Sequence, residues 1–73
     1  QGRREALLLQ PGDSGLEVER LQAALKAQGV YAGPVDGRFT EEVRAAVLRL
    51  QQDKGLRADG VAGPATLKEL GLY

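Results

Sequence analysis

The stretch Val35-Asp36-Gly37-Arg38-Phe39-Thr40-Glu41-Glu42-Val43 returns, altered but recognisable, as Ala58-Asp59-Gly60-Val61-Ala62-Gly63-Pro64-Ala65-Thr66. Each copy sets an Asp-Gly turn ahead of a helix start and a β-branched residue, Val43 or Thr66, seven positions after the Asp. The two Asp residues are too close together to belong to separate domains. Their spacing suits successive units of one small repeat-built fold. A fainter third copy precedes them, because Gly15-Leu16-Glu17-Val18 matches Thr40–Val43 and Gly63–Thr66 in spacing. The unit is a loop, a helix start and a helix, used three times.

Outward from this repeat, the apolar periodicity predicts an all-α fold. It is a small three-helix bundle of loop-helix units, with helices over about 15–28, 40–53 and 64–70. The first helix starts at Gly15 or Leu16 and carries Val18, Leu21 and Leu25 on one face; Asp13 or Ser14 is placed to cap it. Glu17 and Glu19 near its start and Lys26 near its end suit the helix dipole, and Gly29 stops it. Thr40 is the expected cap of the second helix, with Phe39 stapling onto Val43 and with Val43, Val47 and Leu50 as the buried stripe. Pro64 opens the third helix, which carries Leu67 and Leu70 and ends at Gly71. No strand of ordinary length is visible; Val30-Tyr31, Val35 or Val61 would make isolated bridges at most.

Seventy-three residues make one domain, over residues 6–73, with a polar arm or linker end at residues 1–5. A core this small supplies roughly 3–5 kcal/mol net. With no Cys and no His, neither disulfides nor the usual zinc site can add to it. Ten basic and ten acidic residues cancel, which disfavours a nucleic-acid binder. No apolar run approaches the ~20 residues that span a bilayer. The chain opens on Gln1 rather than Met, as an excised or processed fragment would.

The chemistry of catalysis is largely missing. Without His or Cys there is no common base and no thiol nucleophile, and the single Ser, Ser14, sits in a Gly-rich turn as a cap candidate. Glu41 and Glu42 are adjacent on a helix and point apart, a poor glycosidase pair. Asp36 and Asp59 occupy equivalent turns, but an Asp before Gly ordinarily stabilises its own turn. Neither loop has the ligand pattern of an EF-hand, and the Gly-rich stretches lack the Lys-Ser/Thr ending of a phosphate-binding loop. No enzyme, metal or cofactor is expected.

Read in order, the residues resemble a known family. Gly12-Asp13-Ser14-Gly15, Val18, Leu21-Gln22, Leu25 and Gly29-Val30-Tyr31 resemble the opening of the type 1 peptidoglycan-binding domain. Val35-Asp36-Gly37, Phe39, Ala46-Val47, Leu50-Gln51, Gly55-Leu56, Asp59-Gly60-Val61 and Gly63-Pro64-Ala65-Thr66-Leu67 are similar to its remainder. The family commonly has Gly at Thr40, Thr at Val43, an aromatic at Leu50 and two aromatics at Val30-Tyr31, so this chain departs at those places. The resemblance implies a non-catalytic, three-helix module of the bacterial cell wall or periplasm. Such modules hold an attached murein-processing enzyme on its substrate and raise its local concentration. A similar fold serves as the pro-domain of some metalloproteases, which makes a regulatory module docking on a fused hydrolase the alternative. That version acts through a Cys, absent here.

With Phe39, Tyr31 and Tyr73 as its only aromatics, the chain offers no sugar-stacking platform, so contact with peptidoglycan stem peptides is the better expectation. The candidate groove comprises Tyr31, Asp36, Gly37, Arg38, Asp59 and Gly60. Arg38 would take a stem carboxylate, Tyr31 would form an amphipathic wall and the glycines would allow close backbone approach. The plainer reading makes Tyr31 a packing residue and Arg38 a solvated charge. Gln22 and Gln51, each following a buried Leu, then hold loop backbone by hydrogen bonds. Charge balance and small apolar surface suggest a monomer.

Overall fold

A computed structural model describes residues 8–72. The expected arm at residues 1–5, the first two residues of the expected domain, Ala6 and Leu7, and Tyr73 lie outside the described residues. Three helices follow one another: α1 Leu16–Ala27, α2 Glu41–Asp53 and α3 Pro64–Glu69. Each end falls within a residue of the expected position.

The three copies of the repeat superpose in role. Gly15, Thr40 and Gly63 are the N-cap residues of the three helices. Val18, Val43 and Thr66, each three residues further on, are all buried. At the other end the helices stop identically. The N–H of Gly29, Gly55 and Gly71 bonds the carbonyl of Lys26, Gln52 and Lys68, and the next N–H, of Val30, Leu56 and Leu72, reaches back to Leu25, Gln51 and Leu67. This paired closure needs a left-handed residue before an apolar one, which the Gly-Val and Gly-Leu pairs supply.

One expectation about the caps is corrected. Neither Asp13 nor Ser14 caps α1; the N-cap is Gly15, and no side chain bonds the first turn. The Asp13 carboxylate instead turns back to accept the Gln10 N–H at 3.0 Å, closing the preceding turn. Thr40 does occupy the α2 N-cap, again without a side-chain bond, and Pro64 stands in the first turn of α3.

The core joins Val18, Leu21 and Leu25 of α1 to Val43, Ala46, Val47 and Leu50 of α2 and Leu67 of α3, with Leu9, Tyr31, Phe39 and Ala62 from the connections. Burying these apolar side chains is the main favourable term in a chain with no covalent cross-link. The segment from Leu9 to Gly15 stitches both Asp-Gly loops to the same edge. Leu9 exchanges two hydrogen bonds with Ala62, at 3.0 and 2.8 Å. Gly12 and Gly15 then donate to Phe39 and Gly37, and Phe39 donates to Asp13. Isolated bridges do occur, as expected, but at Leu9–Ala62 and Ser14–Arg38 rather than at the valines.

Candidate functional site

Each Asp-Gly turn is closed from within by one buried glutamine. The Gln22 side chain is fully buried on α1, and its Oε1 accepts the Gly37 N–H at 2.8 Å. Its Nε2 faces three acceptors: Arg38 O at 2.9 Å, Asp36 Oδ1 at 3.0 Å and the Tyr31 hydroxyl at 3.3 Å. Gln51 on α2 repeats the arrangement. Its Oε1 accepts the Gly60 N–H at 3.0 Å, and its Nε2 faces Val61 O at 3.0 Å, Thr66 Oγ1 at 3.0 Å and Asp59 Oδ1 at 3.2 Å. A primary amide has two N–H groups, so in each clasp one proton is shared between acceptors. The Tyr31 hydroxyl in the first clasp takes the place of the Thr66 hydroxyl in the second.

The aspartates complete the turns with their own side chains. Asp36 Oδ1 accepts the Arg38 N–H at 3.1 Å, and Asp59 Oδ1 accepts the Val61 N–H at 3.0 Å. The bond from Gln22, followed by that from the Arg38 N–H, holds the Asp36 carboxyl below the usual carboxylate range. The Val61 N–H, opposed by partial burial and aided by the Gln51 amide and the Arg57 charge, does the same for Asp59. In both turns Gly adopts a positive φ, 78° at Gly37 and 76° at Gly60. A side chain there would also meet neighbours: at Gly37 a Cβ would lie 3.1 Å from the Gly15 carbonyl oxygen, and at Gly60 3.0 Å from Arg44 Cγ.

The six candidate groove residues fall into two groups. Tyr31, Asp36, Gly37 and Arg38 gather on Gln22, whereas Asp59 and Gly60 gather on Gln51. Tyr31 is 5% exposed and donates its hydroxyl to Pro34 O at 2.7 Å, with Lys26 Nζ over its ring at 5.7 Å. Burial first, and then the charges of Glu42 and Asp36, push its hydroxyl above the ordinary value. Gly37 and Gly60 are buried, while Asp36, Arg38 and Asp59 are exposed.

Two surface hollows border these turns. One, of about 330 Å3, is lined by Gly12, Asp13, Ser14, Arg38, Phe39 and Thr40. The other, of about 270 Å3, lies between the second turn and α3, and Arg57 and Asp59 stand on it. Neither of these two hollows is lined by members of both turns. Sequence reasoning did not single out Arg57 or the apolar residues of the second hollow. A lone Arg in a polar loop carries no pattern, and the hollow is assembled from three separate parts of the chain.

Among the described residues no set of His, Cys, Asp or Glu side chains is placed to hold a metal ion, and no helix is long and apolar enough to cross a membrane. The described residues form a small helical module whose two Asp-Gly loops are closed from within by glutamines and carry exposed charged groups.

Comparison with known proteins agrees. The family described as "Putative peptidoglycan binding domain" matches residues 14–70, and the chain belongs to that family. It is 45% identical over 56 residues to the N-acetylmuramoyl-L-alanine amidase CwlM of Mycobacterium tuberculosis, covering 77% of this chain and 14% of that protein. It is 42% identical to the zinc D-Ala-D-Ala carboxypeptidase of Streptomyces albus G, covering 85% of this chain and 25% of the enzyme. The chain thus spans a quarter or less of these enzymes' lengths. The crystal structure of the SleB N-terminal domain superposes with a TM-score of 0.88 at 38% identity, covering 94% of each chain. A peptidoglycan-binding protein from Clostridioides difficile, solved with glutamine hydroxamate, superposes with a TM-score of 0.84 at 38% identity, covering 89% of this chain and 40% of that one. The match is to the peptidoglycan-binding part of cell-wall hydrolases rather than to their catalytic parts, and the three-helix, non-catalytic expectation is borne out.

Proposed function

We propose that this module anchors a murein-processing enzyme to peptidoglycan, through stem peptides, in the bacterial wall or periplasm. The observation that carries the reading is the pair of glutamine clasps. Each fixes a loop whose outward groups are exposed charges, within a chain of the peptidoglycan-binding family. Rigid loops lose little freedom when a ligand is bound, so modest contacts suffice. Asp36, Arg38 and Asp59 supply the contacts, whereas Tyr31, Gly37 and Gly60 shape the loops that present them. The module acts as a monomer, and its benefit to the enzyme is local concentration rather than chemistry.

The test is a murein hydrolase catalytic domain assayed with and without this chain fused to it. Fusion is expected to raise the rate on insoluble sacculi and to leave the rate on soluble muropeptides unchanged. Arg38→Ala, whose side chain is exposed, should weaken retention on sacculi with unchanged circular dichroism. A fusion that alters the rate on soluble substrate while giving no retention would support the regulatory alternative instead.

A further inference from the structure

The hollow between the second Asp-Gly turn and α3 has a composition unlike that of its counterpart at the first turn. Its walls are Leu8, Leu56, Val61, Pro64 and Ala65, and Leu8 is 50% exposed. The counterpart at the first turn has one large apolar side chain, Phe39, among glycine and polar residues. Thus the two copies of the repeat share a clasp but differ in what they present.

We propose that the second hollow is a subsite for the free carboxyl end of a short peptide that terminates in an alanine-sized residue. The proposal rests on the peptidoglycan reading above and assigns that reading a place and a ligand chemistry. At about 270 Å3 the hollow falls just below the ~300–1,000 Å3 of pockets that enclose drug-sized ligands, so its occupant is small. Among the described residues no aromatic ring lines it, which disfavours sugar stacking. Apolar walls suit a methyl group.

The rim supplies the complementary charges. Arg57 is exposed and forms no ion pair within 4.0 Å with a carboxylate of the described residues, although its charge helps hold the neighbouring Asp59 carboxyl low. Its guanidinium can take a terminal carboxylate through two parallel N–H bonds. Asp59 is held by Gln51 and Val61 through Oδ1 alone, and its Oδ2 accepts no hydrogen bond from a described residue. That oxygen is free to accept the amide N–H of the same terminal residue. A peptide carboxyl terminus offers the carboxylate, the N–H and the methyl from one residue, matching cation, acceptor and apolar wall. The floor, Gln51 and Thr66, is buried and belongs to the clasp, so the acceptor is fixed before the ligand arrives.

The experiment is an NMR titration of the chain with N-acetyl-D-alanyl-D-alanine and, in parallel, with its C-terminal amide. Sacculus co-sedimentation is run on the same samples. The acid peptide is expected to shift backbone amides between Leu56 and Thr66, and the amide peptide to bind about ten-fold more weakly. Arg57→Gln should weaken the acid peptide by a similar factor, and Ala65→Trp, which fills the hollow from an exposed helix position, should abolish the shifts. Circular dichroism and the unperturbed Gly37 amide report that each variant is folded. If sacculi are retained but the peptide shifts no amide in this segment, or Arg57→Gln binds it as tightly as the parent chain, the subsite is wrong and the anchoring reading stands. If sacculi are not retained either, both fail.

Discussion

Gln22→Ala removes one acceptor and two donors from a site that water does not reach. It orphans the Gly37 N–H and leaves Asp36 and Arg38 without their internal partner. The orphaned Gly37 N–H, which is buried, by itself costs about 1–3 kcal/mol. A domain this size holds about 3–5 kcal/mol in all, so urea titration should find the variant close to unfolded. Gln22→Glu is the sharper test. It keeps the acceptor for Gly37 but turns a carboxylate oxygen toward the Asp36 carboxylate and the Arg38 carbonyl. At neutral pH it should be at least as unstable as Gln22→Ala, and its deficit should narrow as pH falls through the carboxylate range and the new group regains a proton to donate. The two turn glycines should differ as well. Gly37→Ala adds a Cβ against the Gly15 backbone oxygen, which cannot move aside, whereas Gly60→Ala meets the Arg44 side chain, which can. Both carry the left-handed backbone penalty of roughly 1–2 kcal/mol, and Gly37→Ala should exceed Gly60→Ala by a measurable margin in thermal melts.

At the scale of the elements, the three helices share one design of start and stop. Gly55→Ala probes the stop alone, because a Cβ there would meet nothing within 4 Å. It should cost roughly 1–2 kcal/mol from the left-handed backbone, readable as a lower chemical-denaturation midpoint with an unchanged slope. These ends were legible in the sequence because Gly29, Gly55 and Gly71 each precede an apolar residue and because Pro64 can stand only near a helix start. The clasps were partly legible: Gln22 and Gln51 each follow a buried Leu, and a polar residue beside a core position needs a partner. The cap of α1 was not, since Asp13 had two local backbone groups to choose between and took Gln10. Nor were the bridges, because the partner of Leu9 is Ala62, near the other end of the chain. The gathering of the six candidate residues on two separate glutamines had the same cause. A repeat shows that Asp36 and Asp59 are equivalent, but not that they face one ligand.

For the whole molecule, stability and anchoring draw on the same two loops, and acid should expose the link. The folded-state carboxyls of Asp36 and Asp59 are depressed. Their contribution is therefore fully present above the unfolded value of about 3.9 and is lost as pH falls through the lower folded values. The melting temperature should be nearly level from pH 8 to 6 and drop below about pH 4; Asp36→Asn should flatten part of that drop. With only a small core and no disulfide, the module has little reserve against such losses. In the proposed anchoring role the module stays folded, presents charged loops and takes no part in bond breaking.

The most direct test of that role is co-sedimentation of the isolated chain with purified murein sacculi, with the supernatant analysed for released muropeptides. The chain should pellet with the sacculi and release nothing. A folded chain that stays in the supernatant, or one that solubilises the sacculi, would contradict the account.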